Sequence, residues 1–418
     1  MNTSSQAHSD LLQYFTENPC DEAENMQNVA SVKNTHISPE VAKELFGDDI
    51  YLTASRIDNF YHCSFGYFCK YGLKFSPNRQ VDVDRLQRGS LIHLAFCRFV
   101  EKYSVADYRN MSSLRREAEI RNAANELLGS FIAVKKTDNI KQYHINSLCK
   151  TIGRMLDIIY DELEQTEFEK LDAEMTFGNS EDADFGELTI DLPNGAKAHL
   201  SGQIDRVDVF EKNGEQYVRV IDYKTSSTEF RLADVLYGQN LQMLLYLSAY
   251  KRLRKQRDDE DILPAGVLYM HVAEPSNKPS SRCTKTPEQV RTERKKAMKM
   301  NGILLDDESS LTAMEPDFGG VFAPTVKNKD GSITAKSVYT LSQYDMLAKY
   351  MDKLIVNMSE MLHTGDIAIN PLDGKNPACH YCNYKDVCRR DQNEPCVKIE
   401  QISDEQAFEI IEKEADGE

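Results

Sequence analysis

The chain has 418 residues, of which 41% are hydrophobic and 28% are charged, a composition typical of soluble globular proteins. Its formal net charge of −17 argues against general affinity for nucleic acid, because sequence-independent binding places lysines and arginines on phosphates. The sequence has no run of about 18 apolar residues that could span a membrane and no signal-peptide core, so we expect a cytoplasmic protein without membrane contacts.

The N-terminal part of the chain predicts a leader followed by helices. Residues 1–50 have weak periodicity and scattered acids, which predicts a poorly ordered leader with one short helix at most. The aromatic stretch 51–75 predicts a buried helix that begins near Ser55. Apolar periodicity then predicts three further helices, at residues 85–104, 111–134 and 141–166.

Residues 202–224 predict a β-hairpin, around which the rest of the chain is organised. Valine, isoleucine and tyrosine flank Asn213 and Gly214, and an Asn-Gly pair is the strongest short signal for a two-residue hairpin turn. If these two residues form the loop, Lys212 pairs with Glu215. Counting outward from that pair predicts that Asp205 lies directly opposite Asp222.

This register predicts a cluster of charges on one face of the hairpin. Asp205 and Asp222 point to the same face, and the period of two places Lys224 there as well. Two opposed carboxylates repel unless a cation lies between them, which favours Mg²⁺ or Mn²⁺. The alternative is a hairpin whose charges face water. Glu174, in the first predicted core strand, has the same two interpretations.

The segments after the hairpin predict a helix and a buried strand. In the helix, at 239–256, Gln242 and Tyr246 lie one turn apart on one face, a spacing that also suits core packing. The apolar run at 266–272 predicts a strand buried on both faces.

The remaining C-terminal half predicts an excursion and two helices. Residues 276–335 resemble an insertion, and its basic part, 276–299, is either a solvated surface or a surface that follows a DNA backbone. A helix is expected at about 340–363, with Thr340 as its cap. A short acidic helix is expected from Ser403 onward, with Gln406 in the capping-box position.

Ten cysteines in a chain of this kind indicate metal ligands or buried thiols before disulfides. Cys379, Cys382 and Cys388 form a C-x2-C-x5-C pattern, and soft thiolates select zinc or an iron–sulfur cluster. The pattern needs a fourth ligand. Spacing alone favours the nearby Cys396 and a zinc-knuckle-like module, while the distant Cys63 would close most of the chain into one loop.

Four short motifs, in this order, resemble those of RecB-family nucleases in the PD-(D/E)XK superfamily. The resemblance rests on Gly89 to His93 as G-x-x-x-H, Gly202 to Asp205 as G-x-(I/V)-D, Asp222 to Lys224 as D-x-K, and Gln242 to Tyr246 as Q-x-x-x-Y. It implies a restriction-endonuclease-like α/β core, with a mixed sheet flanked by helices and with helical insertions.

The same resemblance implies roles for individual residues. Asp205, Asp222, His93 and the backbone carbonyl of Tyr223 are expected to hold Mg²⁺ or Mn²⁺. Lys224 is expected to orient the attacking water, and Gln242 and Tyr246 to position the nucleic acid or the lysine.

The resemblance also changes the expectation for the cysteines. One early cysteine followed by C-x2-C-x5-C near the C-terminus resembles the 4Fe–4S staple of AddB proteins and of CRISPR-associated RecB-like exonucleases. It implies that Cys63 joins Cys379, Cys382 and Cys388 in a cluster, with Cys69 as the weaker substitute and Cys396 outside it.

Residues from about 51 to 395 are most similar to the C-terminal nuclease region of AddB proteins, which form one part of an ATP-dependent helicase/nuclease. The segments PAGVLYMHVAEP and KMNGILLDD extend this similarity beyond the motifs. AddB proteins are several times longer, and this sequence has no G-x-x-x-x-G-K-[ST] phosphate loop. We therefore expect a leader at 1–50, a nuclease domain at 51–395 and an acidic tail at 396–418.

The expected function is that of a metal-dependent exodeoxyribonuclease in double-strand break repair, acting on DNA with an AddA-like helicase partner. Three alternatives are a non-catalytic iron–sulfur DNA-binding or scaffold module, a compact CRISPR-associated RecB-like exonuclease, and a zinc-ribbon interaction protein. Intact Asp205, Asp222 and Lys224 argue against a non-catalytic module.

Overall fold

The computed structural model of the chain describes residues 36–75, 85–131, 138–181, 183–224, 229–272, 286–316, 320–335, 337–390 and 396–416. Most of the predicted leader, with Cys20, and the first part of the basic segment, 276–285 with Cys283, lie outside these residues. The helices of the described residues are α1 Pro39–Phe46, α2 Ala54–His62, α3 Ser64–Tyr67, α4 Arg85–Lys102, α5 Val105–Asn110, α6 Ser113–Phe131, α7 Asp138–Gln165, α8 Leu232–Leu236, α9 Gln242–Asp258, α10 Pro287–Ala297, α11 Glu308–Met314, α12 Leu341–Thr364, α13 Lys385–Cys388 and α14 Asp404–Asp416.

The strands of the described residues form one large sheet and three small ones. They are β1 Ile50–Leu52, β2 Glu169–Phe177, β3 Leu188–Asp191, β4 Lys197–Leu200, β5 Gly202–Lys212, β6 Glu215–Lys224, β7 Ile262–His271, β8 Asn301–Leu305, β9 Thr325–Lys327, β10 Ile333–Ala335, β11 Val338–Tyr339, β12 Leu372–Asp373 and β13 Val397–Lys398. The large sheet has the strand order β11-β8-β7-β6-β5-β2. Strands β6 and β7 are parallel, while β5 pairs antiparallel with β2 and β6, so the predicted mixed sheet of an α/β fold is confirmed.

The central hairpin has the predicted turn and register. Asn213 and Gly214 both adopt positive φ, 55° and 84°, as a type I′ turn requires. Strands β5 and β6 pair from Lys212–Glu215 to Arg206–Ile221, so Asp205 and Asp222 occupy the next opposed positions. The register was predictable because a two-residue loop leaves only one way to count the ladder.

Helices cover both faces of the sheet around this hairpin. Helix α9 contacts β5, β6 and β7, and its Gln242 meets Asp222. Helix α4 contacts β2 and β6, and its Phe96 ring lies 5.9 Å from the ring of Tyr223. Because successive residues of a strand point to opposite faces, Asp222 and Tyr223 join the sheet to a different helix on each side.

Two predicted helix ends are confirmed by their capping contacts. The Thr340 hydroxyl accepts a hydrogen bond from the Gln343 backbone, and Gly365 ends helix α12 in the left-handed conformation. Ser403 and Gln406 form the reciprocal hydrogen bonds of a capping box at the start of α14, at 3.0 and 3.3 Å.

Three segments differ from their predictions. Thr53, not Ser55, caps α2, because its hydroxyl accepts from Arg56 N. The aromatic stretch does not form one helix, since the chain turns at Cys63, which is extended, and continues through α3 into a π-helical turn at Phe68–Gly72. The excursion at 276–335 contributes β8 to the main sheet, because Ile303, Leu304 and Leu305 are a buried strand between β7 and β11.

Parts of the predicted leader and tail pack on the same helix. Helix α1, within the predicted leader, contacts α12, and so does the C-terminal helix α14. Ala407, Phe408 and Ile411 form the buried face of α14. Among the described helices, none combines the length and the apolar composition that crossing a bilayer requires.

Four charged side chains are buried together behind the hairpin. Arg206 donates to Asp208 at 2.7 and 2.6 Å and to Glu162 at 2.9 Å. Arg219 donates to the same two carboxylates, at 2.9 and 2.7 Å. Since all four are almost fully buried, each charge depends for compensation on the two groups of opposite sign. The network joins helix α7 to β5 and β6 and fixes the strand that carries Asp205.

We expect Glu162→Gln to lower the free energy of unfolding by about 3–5 kcal/mol, because it leaves two buried guanidinium groups with one carboxylate. Urea unfolding would measure the change. The matched control is Glu164→Gln on the same helix, whose carboxylate is more than half exposed beside Arg109, and it should cost less than about 1 kcal/mol. Equal losses in the two variants would contradict a structural role for the network.

Candidate active site

The side chains at the open end of the hairpin form a connected polar group. Lys224 Nζ lies 2.7 Å from Asp222 Oδ2 and donates to Gln242 Oε1 at 2.8 Å. Gln242 Nε2 donates to Asp222 Oδ1 at 2.9 Å and lies 3.2 Å from the hydroxyl of Tyr246. The lysine is therefore held between a carboxylate of β6 and an amide of α9, and both D-x-K and Q-x-x-x-Y residues take part in one network.

Asp205 lies beside this network and contacts two further elements. Its Oδ2 accepts a hydrogen bond from Tyr223 N at 2.8 Å and pairs with His93 Nε2 of helix α4. Burial lowers the pKa of His93, but the hydrogen bond and the charge of Asp205 outweigh it, so the pKa is raised. The structure thus brings together His93, Asp205, Asp222, Tyr223 and Lys224, which the sequence analysis predicted as one site.

The carboxylates of this site favour a cation. Burial, and next the charge of Asp205, raise the pKa of Asp222 to about 7, although Lys224 and His93 act in the opposite direction. A carboxylate that is 3% exposed beside a second carboxylate is expensive to ionise without a compensating charge. Carboxylate and carbonyl oxygens and an imidazole are donor types that Mg²⁺ or Mn²⁺ accepts, although the described residues here do not present three such side chains around one point.

Close packing, and not a turn, requires glycine at position 202. A Cβ at this position would lie 2.7 Å from Cε1 of Tyr246 and 2.8 Å from Cε1 of Phe177. Any larger residue would displace Tyr246, whose hydroxyl contacts Gln242. The glycine therefore lets α9 approach the start of β5 closely enough to position the amide.

Glu174 is a third carboxylate that the sequence left open as a solvent-facing acid. The pairs Ala173–Arg206 and Met175–Ile204 flank it, so its register position is opposite Asp205. Burial raises the pKa of Glu174, and its Oε1 is buried without a hydrogen-bond partner among the described residues. Its φ of 53° is unusual for a strand residue and typical of strained functional positions.

Asp58 of helix α2 was missed by the sequence analysis. Burial raises its pKa to about 7, while the Leu241 backbone and the charge of Lys224 lower it. Its Oδ1 is buried and has no hydrogen-bond partner within the described part of the chain. No short sequence motif identifies Asp58, because this residue comes close to Lys224 only when α2 packs against α9.

Four cysteines predicted to act together line one cavity of about 180 Å³. They are Cys63, at the end of α2, and Cys379, Cys382 and Cys388. This volume is several times the ~30 Å³ share of a water molecule, which leaves room for a group of several atoms. The described residues contain no group of three or more His, Cys, Asp or Glu side chains placed to hold a single metal ion.

Backbone contacts hold the two cysteine-bearing segments together. Ser64 N donates to Asn370 Oδ1 at 2.8 Å, and Phe65 N donates to Ala368 O at 3.1 Å. Tyr384 N donates to Cys382 Sγ at 3.4 Å, the kind of contact that tunes cluster sulfurs. These bonds place Cys63 beside the C-terminal motif although more than three hundred residues separate them.

The two other candidate cysteines do not line the cavity. Cys396 Sγ donates to Asp373 Oδ2 at 3.7 Å and takes no part in the cavity wall. Cys69 is buried in the π-helical turn, and burial raises its pKa to about 11, with the nearby thiols of Cys382, Cys388 and Cys63 adding to the effect. The geometry favours Cys63 over either of them as the fourth thiol.

The described part of the basic segment forms ion pairs within the protein. Arg291 and Lys295 of helix α10 pair with Asp161 of α7 at 2.7 and 2.8 Å, and Arg109 pairs with the same carboxylate at 2.8 Å. These cations anchor α10 to α7. If this segment follows a DNA backbone, Arg291 and Lys295 would not contribute, because Asp161 already pairs with both of them. Arg294 and Lys296 are not involved in these ion pairs.

Comparison with known proteins identifies similarity over nearly the whole described fold. The family described as the PD-(D/E)XK nuclease superfamily matches residues 51–389. This range includes every residue of the candidate site and the four cysteines of the cavity.

Curated relatives named as the B component of an ATP-dependent helicase/deoxyribonuclease are similar along most of the chain. The protein of Clostridium novyi (strain NT) is 31% identical over 98% of this chain and 37% of its own length. The protein of Clostridium acetobutylicum is 30% identical over 93% of this chain and 34% of its own length. The protein of Thermoanaerobacter sp. (strain X514) is 31% identical over 89% of this chain and 33% of its own length. The chain thus spans about a third of the length of the curated relatives it matches.

Proposed function

Because the chain belongs to the PD-(D/E)XK nuclease superfamily, we propose that it is a metal-dependent deoxyribonuclease that hydrolyses phosphodiester bonds in DNA. The observation that carries this proposal is the hydrogen-bonded group of Asp222, Lys224 and Gln242 at the end of the hairpin, with Asp205 beside it. The names of the relatives, which describe part of a deoxyribonuclease, support DNA as the substrate.

Asp205 and Asp222 would hold Mg²⁺ or Mn²⁺, together with His93 and the carbonyl oxygen of Tyr223. Such an ion would supply stabilisation for the negative charge that builds on the phosphate. The charge crowding at Asp222, expressed in its raised pKa, supports this assignment, because a cation between the carboxylates would remove the repulsion.

Lys224 has the position required to orient the attacking water. Its ammonium is held by Asp222 and Gln242, at 2.7 and 2.8 Å, and therefore has one further donor direction to offer. Gln242 would keep the lysine in place, and Tyr246 would keep the amide oriented by its contact with Nε2. The oxygen of the water would form a new bond to phosphorus while the bond between phosphorus and the sugar oxygen breaks, and the proton lost by the water would balance the one that the leaving oxygen takes up.

The cysteine cavity would hold a 4Fe–4S cluster with a structural role. Four thiols around one volume, with an amide donor to Cys382, match the ligand number and the surroundings of such clusters. The cluster would join the region that precedes the nuclease core to the region that follows it.

The biological setting follows from the relatives. We propose that the chain represents the nuclease region of an AddB-type protein, acts as an exonuclease during double-strand break repair in the cytoplasm, and works with an AddA-like helicase. Similarity along almost the whole chain supports this setting.

The proposal is tested by anaerobic purification followed by a cleavage assay on end-labelled single- and double-stranded DNA. We expect cleavage with Mg²⁺ or Mn²⁺, no cleavage after chelation, and recovery when the ion is returned. The products of exonuclease action should shorten progressively from one end. Binding of DNA without cleavage at any metal concentration would support the non-catalytic scaffold instead.

A further inference from the structure

A second open groove, of about 660 Å³, borders the cysteine cavity on the outer side of α2. Cys63 and Cys382 contribute to both, so the groove runs directly past the proposed cluster. Its wall combines cationic, amide and aromatic side chains. Among the described residues that line it, there is no aspartate or glutamate, in a protein whose net charge is −17.

Aromatic side chains stand exposed on the wall of this groove. Tyr381 is 88% exposed, with its ring only 4.3 Å from the ring of His380, and Phe75 is 46% exposed. A hydrogen bond from the Tyr384 hydroxyl to Phe75 O, 3.1 Å long, fixes the segment that carries Phe75. Single exposed aromatics are common, but two on one groove wall provide flat surfaces on which bases can stack.

Cations lie on the same groove wall as these aromatic rings. Lys70 Nζ donates to Asn59 Oδ1 at 3.3 Å and keeps its remaining donors for another acceptor. Lys375 lies 3.6 Å from Glu229, a residue that does not line the groove. Both side chains are mostly exposed, so this ion pair is weak. The two ammonium groups can therefore exchange these contacts for phosphates.

Helix α2 connects the groove to the candidate active site. His62 lines the groove, and its Nδ1 lies 3.4 Å from Gln239 Oε1, while Gln239 Nε2 donates to Asp58 O at 2.9 Å. Although burial raises the pKa of Asp58, this residue lies close enough to Lys224 for the charge of that ammonium to act in the opposite direction. Asp58 and His62 are four positions apart in helix α2, a rise of about 6 Å, which is less than the axial length of two nucleotides in a duplex strand.

We propose that this groove binds single-stranded DNA next to the active site, with bases stacked on Tyr381 and Phe75 and phosphates on Lys70 and Lys375. The occupant follows from the wall itself, since cations together with aromatic rings and no carboxylates fit a strand whose bases are unpaired. A duplex keeps its bases stacked inside and gains little from the rings. The proposal rests on the proposed nuclease function only for the choice of DNA.

Binding of a fluorescent oligothymidine of about 16 nucleotides would test the groove by anisotropy, with an Asp222→Ala background that prevents cleavage. Tyr381→Ala should weaken binding about tenfold, in line with the loss of one stacked base. Tyr381→Phe keeps the ring and should bind like the parent. The double variant Lys70→Ala/Lys375→Ala should lower the slope of log affinity against log salt by about 1.4, or 0.7 for each lost phosphate contact.

The control for the charge change is Lys212→Ala/Lys329→Ala, which removes two exposed lysines, at two turns, that do not line the groove. It should leave the salt slope of the parent unchanged. Thermal unfolding of each variant establishes that the fold is retained. If Tyr381→Ala misfolds, Tyr381→Leu, which keeps bulk but has no ring, replaces it and should show the same loss.

The outcomes separate this proposal from the proposed nuclease function. Equal single-strand binding by the parent, Tyr381→Ala and the double lysine variant would overturn the groove, even if the wild-type protein cleaves DNA. Equal weakening of blunt duplex binding would also overturn it, because stacking of unpaired bases would not be the cause. Selective loss of single-strand binding would support the groove even if the wild-type protein showed no cleavage.

Discussion

Asp222→Ala is expected to reduce metal-dependent cleavage of DNA about 1,000-fold or more, because one substitution removes a proposed metal ligand and both contacts that orient Lys224 and Gln242. Initial rates on end-labelled DNA, measured at saturating Mg²⁺, would give the size of the loss. Asp222→Asn should be nearly as inactive, since it keeps the shape but lacks the charge. Lys224→Ala should also abolish cleavage.

The fold should tolerate the loss of Asp222. Val218, Val220 and Ile221 are buried and hold β6 in the sheet. Burial and Asp205 raise the pKa of Asp222 to about 7, which means that the folded state disfavours its ionised form. The carboxylate therefore opposes folding increasingly as pH rises from about 4 to about 7 and fully above that, so its removal should not lower the thermal midpoint at neutral pH.

Asp191→Ala is the matched control for this experiment. The Asp191 side chain is 89% exposed at the end of β3, and its carboxylate lies 3.9 Å from Lys197. This variant should cleave DNA at the parental rate. If a well-folded Asp222→Ala protein did the same, the site at the end of the hairpin would not be the active site.

The hairpin that carries the candidate site was predictable because its determinants are local. Asn213 and Gly214 fix the turn, and the turn fixes which residues of β5 and β6 are opposed. The capping residues Thr340 and Ser403 are equally local, since each hydrogen bond joins positions three residues apart. Signals of this range are contained in a few neighbouring letters of the sequence.

Residues whose roles depend on packing were not predictable in the same way. Glu174 takes its position opposite Asp205 only because β2 pairs with β5 across a register shift. Asp58 reaches the neighbourhood of Lys224 only through the packing of α2. Strand β8 was hidden within a polar excursion, because five residues are too few to show a period and its apolar side chains find their partners in β7 and β11.

The fourth cysteine shows the same difference between local and distant signals. Spacing favoured Cys396, which is eight residues after Cys388, whereas resemblance to a family favoured Cys63. The structure places Cys63 at the cavity because Ser64 and Phe65 bond to the backbone segment around Asn370. These hydrogen bonds cannot be predicted from the spacing of the cysteines in the sequence.

Cys63→Ala is expected to remove the brown iron–sulfur absorbance and to lower the free energy of unfolding by about 5 kcal/mol. The estimate corresponds to opening a cross-link that closes more than about 300 residues. Iron content and the visible spectrum of anaerobically purified protein would measure the first effect, and denaturant unfolding the second. Limited proteolysis should cut the variant faster, because only hydrogen bonds and packing, and no longer a cluster, would join α2 to the C-terminal motif.

Cys396→Ala and Cys69→Ala are the controls, since both change a thiol that does not line the cavity. Each should retain its iron and its spectrum. Cys69→Ala is expected to lose some stability, because the Cys69 side chain is buried, but this loss should occur without bleaching. A comparison of absorbance with stability thus separates loss of the cluster from loss of packing.

One result would replace the cluster by a different centre. If the anaerobically purified protein contained one zinc per chain, and if Cys396→Ala released it while Cys63→Ala did not, the C-terminal cysteines would form an independent zinc knuckle. Such a knuckle would stabilise only the segment after Pro371, because a local site closes a short loop. The early segment and the C-terminal motif would then be joined by hydrogen bonds, such as those of Ser64, Phe65 and Tyr384, and not by a metal centre.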